Sequence, residues 1–170
     1  MIYSGKKFGI RTWQKGDESY LALHANNFNI WKNVRDVFPH PYTYDDAIYW
    51  IDFNLKMDKP LNFALVIDDE PIGCIGFVLG QDIHKKSIEL GYWLSEEYWG
   101  QGIASEAVKA MVDYAFAHFQ VNRIWASVFS GNEASERVLL KNGFLHEATL
   151  KQSIFKNNVY IDELIFSMLR

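Results

Sequence analysis

Two periodicities alternate along this chain, one near 3.6 residues and one near 2, and their order predicts the elements. Lys7 to Trp13 reads as a short strand. From Asp17, the segment DESYLALHANN puts Tyr20, Leu21 and Leu23 on the apolar face of a helix, with Asp17 placed to cap it. Asn29 to Tyr42 is aromatic and broken by Pro39 and Pro41, which predicts a loop holding a short helical piece. Thr43 precedes Asp46 by three residues, a capping-box-like start with Asp in place of Glu or Gln. Ala47, Ile48, Trp50, Ile51 and Leu55 then follow at helical spacing.

The pattern next shortens. Asn62–Asp68 and Pro71–Leu79 read as strands around the turn DDEP, and Ser87–Leu94 as a third after a short polar loop, which predicts an antiparallel meander. The stretch YWGQGIASEAVKAMVDYAFAHF, Tyr98 to Phe119, opens with two glycines and continues as an amphipathic run free of Gly and Pro. Its stripe of Val108, Met111, Val112, Ala115 and Phe119 is core packing for a helix. Arg123–Phe129 is a strand, and Glu133–Lys141 a helix ended by Gly143 after Asn142. FLHEATLKQSIF and YIDELIFSML close the chain as two strands around Lys156–Asn158. The order predicts a mixed α/β fold. With no repeat, low-complexity tract or Gly/Ser linker, residues 1–170 read as one domain.

Composition narrows the partners. Half of the 170 residues are apolar (49%) and 16% are aromatic, enough for a core. A net charge of −4 supplies no basic face for phosphate backbones, so nucleic acid is not an expected partner. No segment has the length to span a bilayer, and the N-terminus lacks a signal-peptide apolar run. One cysteine, Cys74, allows no internal disulfide, so the expected location is the reducing cytoplasm. Cys74 lies in the apolar run IGCIGFVLG and reads as a buried, inert thiol rather than a nucleophile. None of the five histidines makes a metal-ligand spacing, so no metal is expected.

The glycine junction is the candidate for chemistry. A mononucleotide P-loop needs a lysine after the last glycine, and none follows Gly102. A dinucleotide fingerprint needs a third glycine, but Ser105 stands there, and the next strand ends without an acid. A simpler anion nest remains open. Gly100 and Gly102 let the amides of Gln101, Gly102, Ile103 and Ala104 converge at a helix start, where the dipole favours an anion such as pyrophosphate. The alternative is a tight strand-to-helix turn that holds nothing.

These residues resemble a known family. GYWLSEEYWGQGIASEA is similar to the coenzyme A loop of the GNAT acetyltransferases, whose motif is Arg/Gln-x-x-Gly-x-Gly/Ala. Trp99, Gly102 and Ala104 occupy its three fixed positions, so the first departs from the pattern. The form YWGQGIA resembles the RimJ/RimL branch, the ribosomal-protein N-terminal acetyltransferases. Asn132–Ser135 with Lys141–Phe144 resembles the family's Asn-x-x-Ala/Ser…Gly-Phe segment, and FPHPYTYDDAIYWI its substrate side. The ending, FKNNVYIDELIFSMLR, resembles that branch's last hairpin and strand. The resemblance covers nearly the whole chain and implies the GNAT fold, with direct acetyl transfer from acetyl-CoA to an amine. It also implies that the GYWL strand splays from RIWASVF, admitting the acetyl-pantetheine arm near Trp93 and Leu94, with pyrophosphate on Gln101–Ala104.

Roles follow residue by residue. An amine attacks only when neutral; an α-amine, with a reference pKa near 8, costs about one unit or less of deprotonation near pH 7, where lysine costs far more. Glu89 resembles by position the strand glutamate that serves as base; otherwise it faces solvent or pairs with Lys85 or Lys86. Many relatives place a tyrosine acid seven residues after the asparagine, and here that position is Leu139. Ser135 is then the candidate donor to the leaving thiolate, or else a helix serine bonded to its own backbone. Asn132 either orients coenzyme amides or caps a helix. Glu96 and Glu97 would repel a pyrophosphate and are expected to point to solvent. Trp31, Phe38, His40, Tyr42 and Tyr92 either wall a peptide groove or belong to the core. Asp36, Asp45 and Asp162 are candidate partners of a cationic acceptor, or solvated and capping acids. The expected acceptor is a protein or peptide N-terminus; alternatives are a small amine such as a polyamine, aminoglycoside or amino acid derivative, or a coenzyme-binding module without turnover. A homodimer is compatible with the exposed last strand.

Overall fold

The computed structural model describes residues 1–170. Thirteen regular elements follow the expected order. They are β1 (Tyr3–Ser4), β2 (Gly9–Thr12), α1 (Glu18–Ala25), α2 (Phe28–Trp31), α3 (Tyr44–Leu55), β3 (Asn62–Ile67), β4 (Glu70–Leu79), β5 (Ser87–Leu94), α4 (Ile103–His118), β6 (Arg123–Phe129), α5 (Glu133–Lys141), β7 (Leu145–Lys156) and β8 (Val159–Leu169). Eight strands form one sheet in the order β1-β2-β3-β4-β5-β6-β8-β7. The pairs β1–β2, β2–β3, β3–β4, β6–β8 and β7–β8 are antiparallel. Backbone bonds from Gly80 N to Ser87 O and from Ser95 N to Ile72 O make β4 and β5 antiparallel as well. Only β5 and β6 run parallel, and their register covers Ser87↔Arg123, Ile88↔Ile124 and Glu89↔Trp125, although β6 runs on to Phe129.

Local chemistry accounts for the boundaries. The Thr43–Asp46 capping box forms in full at the start of α3: Asp46 N donates to Thr43 Oγ1 (3.2 Å) and Thr43 N to Asp46 Oδ2 (2.8 Å). The β3–β4 and β7–β8 hairpins turn on Asp68–Asp69 and Asn157–Asn158, all with positive φ. This is the primed-turn geometry that Asp and Asn tolerate better than branched residues. At the end of α5, Phe144 N donates to Leu139 O (3.1 Å) and Gly143 N to Leu140 O (3.0 Å), with Gly143 at φ +82°. That is a Schellman closure, which explains the glycine.

The chain packs as two compact units, Met1–Gly76 with Tyr92–Ala107, and Phe77–Gly91 with Val108–Arg170. The first has a core of Trp13, Leu21, Ala25, Tyr42, Ala47, Ile51, Ala64, Val66 and Cys74. The second buries the expected stripe Val108, Met111, Val112, Ala115 and Phe119, with Phe119 edge-on to Phe77 at 5.6 Å.

Four local expectations are corrected. Asp17 does not cap α1 with its side chain. Its carboxylate instead takes a bidentate pair from Arg11 (2.8 Å twice) and the Gln14 amide (3.0 Å). Arg11 also donates through Nε to Asp69 (2.6 Å), so a buried guanidinium ties β2, the start of α1 and the β3–β4 turn. The charge pair outcompetes the cap because both partners are withdrawn from water. The apolar face of α1 is also narrower than its sequence suggests: Leu21 is buried, but Tyr20 and Leu23 are exposed. On α3, Ala47 and Ile51 are buried whereas Leu55 is exposed. An edge strand, β1, joins the sheet ahead of the expected first strand.

Candidate active site

The first unit holds the glycine loop. After β5 a single 3₁₀ turn, Glu96–Tyr98, leads to Gly100 (φ +73°) and Gly102 (φ +83°). Both conformations are ones that side-chain-bearing residues rarely adopt. Apart from its chain neighbours, no heavy atom lies within 4 Å of the position a Cβ would take on either glycine, so both positions face open space. Ile103 begins the 16-residue helix α4, and Glu106 N donates to Gly102 O (3.1 Å). The first amides of any helix lack partners within it, so Gln101–Ala104 present donors where the dipole is positive. A helix of this length, glycines that bar no approach and an open face fit a diphosphate.

The loop is held from several sides. Trp99 Nε1 donates to Leu94 O (2.7 Å), and Gln101 Nε2 to Glu97 O (3.1 Å). Lys7 Nζ reaches Gln101 O (2.9 Å) from the β1–β2 turn. Glu96 and Glu97 are exposed, as expected, and both are also held by neighbours. Glu96 accepts from Asn27 Nδ2 (2.8 Å) and Asn29 Nδ2 (3.1 Å), and these amides hold its carboxyl below the usual glutamate value. Glu97 Oε1 lies 3.1 Å from His24 Nδ1, which also meets Ser95 Oγ at 3.0 Å. Donors on and beside α1 and α2 thus fix where these two carboxylates sit beside the loop.

The aromatic candidates form two groups. Phe38 packs on Tyr42 (4.9 Å) and on Trp93 (5.8 Å, edge-on). Tyr42 is a core residue, and burial pushes its phenol pKa up. Trp31 stacks on His40 (5.5 Å), and Phe28 meets the same imidazole at 5.9 Å, with His40 and Phe28 exposed. Tyr92, half-buried, precedes Trp93 on β5, and Leu94 is buried.

The second unit holds the other candidates. Glu89 stands on the last rung of the β5–β6 ladder, opposite Trp125. Its neighbours Ile88 and Leu90 are buried, while Glu89 is partly exposed. Two residues on, Gly91 has open space where a side chain would be. Lys86, one imagined partner of Glu89, has its Nζ 3.5 Å from Gln120 Oε1. Asn132 caps α5: its Oδ1 accepts from Ser135 N (3.3 Å). Ser135 lies in the first turn of that helix. Leu139 is fully buried. Asp162 is taken by Lys151 Nζ (2.8 Å) and Gln152 N (2.9 Å), which lower its pKa and occupy it. Cys74 is buried, and its thiol pKa is pushed up to about 12 by desolvation. No group of three or more His, Cys, Asp or Glu side chains gathers for a metal, and no helix is long and apolar enough to cross a membrane.

The family model described as "Acetyltransferase (GNAT) domain" matches residues 7–145. The chain belongs to this GNAT family. The ribosomal-protein-serine acetyltransferase of Escherichia coli (strain K12) is 35% identical over 107 residues, 63% of this chain and 59% of that protein. Two relatives from Bacillus subtilis are likewise matched over 56% and 58% of their own length, so the chain spans under two thirds of these relatives. Among solved structures, RimL, the ribosomal L7/L12 α-N-protein acetyltransferase in complex with coenzyme A, superposes with a TM-score of 0.86 at 21% identity, covering 99% of this chain and 97% of that one. Spermidine N-acetyltransferase from Vibrio cholerae, in complex with CoA and spermine, gives 0.80 at 21%, covering 97% and 96%. The fold is therefore the GNAT fold, with an eight-stranded, mostly antiparallel sheet and flanking helices.

Within that family the two departures have local explanations. Trp99 spends its one donor on the chain's own Leu94 carbonyl. Leu139, at the usual tyrosine position, is a core residue of the second unit. Two further residues border these candidates. Lys7 is separated from the loop by more than ninety positions, and nothing local announces the contact. Gly91 was detectable, because a glycine inside a strand often marks a close approach.

Proposed function

We propose that this protein transfers the acetyl group of acetyl-CoA to a primary amine, and that the amine is the N-terminal α-amine of a protein or peptide. The observation that carries the reading is the loop Gly100–Gly102 at the start of α4, left-handed at both glycines and open above them, in a chain of the GNAT family. The resemblance of YWGQGIA to the RimJ/RimL branch supports the choice of acceptor, as does the similarity to a ribosomal-protein-serine acetyltransferase.

In this reading acetyl-CoA supplies a thioester activated toward amines. The amides of Gln101, Gly102, Ile103 and Ala104 bind its pyrophosphate, and β5 near Trp93 and Leu94 aligns the pantetheine arm by backbone pairing. Glu89 takes the proton of the attacking amine, directly or through water. Open space at Gly91, on the same side of β5 as Glu89, supports an approach for the acceptor there. Near pH 7 an α-amine is within about one unit of its pKa, so a modest base suffices. Ser135 passes a proton to the departing thiolate and regains one from water; a thiol with a reference pKa near 8.5 leaves readily, so this assistance is modest. Asn132 orients the coenzyme while its Oδ1 caps α5. Trp31, Phe38, His40 and Tyr92 form the acceptor side, with Tyr42 supporting Phe38 from the core.

The test is release of free CoA thiol from acetyl-CoA against peptides beginning with alanine, serine or methionine, a polyamine and an aminoglycoside. Release with one peptide class supports the N-terminal reading and names the residue. Release with the polyamine or aminoglycoside alone replaces the acceptor. Binding of acetyl-CoA without release from any acceptor overturns the transferase reading in favour of a binding module.

A further inference from the structure

We propose that Lys7 is the cation of the coenzyme site, binding the coenzyme's phosphates from the tip of the β1–β2 hairpin. This rests on the acetyl-CoA reading above and deepens it. An amide nest with no lysine of its own relies on partial charges alone to hold a dianionic pyrophosphate. The chain supplies a full charge from elsewhere. Gly5 N donates to Phe8 O (3.0 Å), which makes Lys6 and Lys7 the two central residues of a tight turn. Lys7 Nζ then donates to Gln101 O (2.9 Å), the carbonyl between the two left-handed glycines. An ammonium carries three donors, and this bond uses one, so two remain for an anion brought to the loop.

The hairpin tip is built onto the loop and does not merely drift near it. Tyr3 donates its hydroxyl to Glu106 in the first turn of α4. A Cβ on Gly5 would collide with the Tyr3 ring and with Glu106 Oε1, so the turn sits directly against the helix start. The electrostatics are consistent. Three carboxylates border the loop in sequence, and each has a donor of its own: Glu96 from Asn27 and Asn29, Glu97 from Ser95, and Glu106 from Tyr3. The lysine instead engages a backbone carbonyl, which leaves its charge uncompensated by any acid in that contact.

The test is calorimetric titration of CoA into the wild type, Lys7→Met, Lys7→Arg and, as a control, Lys6→Met, at low and high salt, with the melting temperature of each free protein. The expected result is a CoA Kd about fivefold higher in Lys7→Met, at the low end for a charge-assisted bond because the lysine is solvent-exposed. Lys7→Arg and Lys6→Met should stay within about twofold of wild type. Salt should weaken wild-type binding more steeply than that of Lys7→Met, because screening acts on the charge that the variant has lost. An unchanged Kd in Lys7→Met overturns the proposal. So does a raised Kd with the wild-type salt dependence or a lowered melting temperature, since either makes Lys7 a structural clamp. A wild type that does not bind CoA removes the acetyl-CoA reading itself, whereas a wild type that binds alongside an equally competent Lys7→Met removes this inference alone.

Discussion

The indole of Trp99 donates to the backbone carbonyl of Leu94 across 2.7 Å, closing the chain between the end of β5 and the glycine loop into a short ring. The position is one where the family motif carries Arg or Gln. A tryptophan with its one donor engaged here ties the loop to the end of β5. Trp99→Phe keeps an aromatic ring and deletes the bond. A net hydrogen bond of about 0.5–1.5 kcal/mol corresponds to roughly two- to tenfold in an equilibrium. The expected outcome is a KM for acetyl-CoA raised by that factor, with kcat held at saturation. Steady-state kinetics decide it, and an unchanged KM would show that the loop keeps its shape without the bond.

Glu89 and Ser135 are assigned unequal shares of the chemistry. Removing a positioned base costs about 10²–10⁴-fold in rate, so Glu89→Gln should lower kcat into that range while acetyl-CoA still binds. Ser135→Ala should cost about tenfold or less, because the thiol needs little help to leave. Single-turnover rates together with acetyl-CoA affinity separate chemistry from binding. Wild-type rates in both variants would remove both assignments.

The alternation of helical and strand periods was enough to place every long element, because burial enforces periodicity wherever an element is long. The Thr43–Asp46 box and Gly143 were legible for a related reason: capping acts over three or four residues and leaves a local signature. Long-range polar choices left none. Asp17 looks like a cap until Arg11 is brought against it, and Glu96, exposed as expected, is also held by Asn27 and Asn29. The loop's glycines announced themselves, but the lysine laid on the loop did not. Such partners are set by how the chain folds back, which no spacing records.

The Arg11–Asp17 pair should dominate the stability of the first unit. Both side chains are buried, and Asp17 is only 3% exposed. Arg11→Met strands a buried carboxylate, with the Gln14 amide as its remaining donor of those described above. Breaking a buried pair from one side costs about 3–5 kcal/mol. Urea denaturation should show a loss of that order. The double variant Arg11→Met/Asp17→Leu should recover much of it, because no charge is then left in the interior. A double variant as unstable as the single would mean that the guanidinium's bonds to the β3–β4 turn, and not the charge pair, carry the stability.

Cys74 gives a signed pH dependence. Burial raises its thiol from an ordinary 9.0 to about 12 in the folded protein. Between those values the unfolded chain has released the proton and the native chain has kept it, so unfolding releases a proton and stability falls as pH rises. The contribution is intact below about pH 9 and shrinks by up to about 1.4 kcal/mol per pH unit above it. Lysines and tyrosines titrate in the same range, so the measurement is a difference: wild type against Cys74→Ala by urea denaturation from pH 8 to 10.5. The wild type should lose stability faster, and the gap should open only above pH 9. A native thiol held in this state should also react with an aromatic disulfide reagent at pH 8 no faster than the protein opens. Rapid modification of the folded protein, or parallel pH curves for the two proteins, would mean that water already reaches the sulfur.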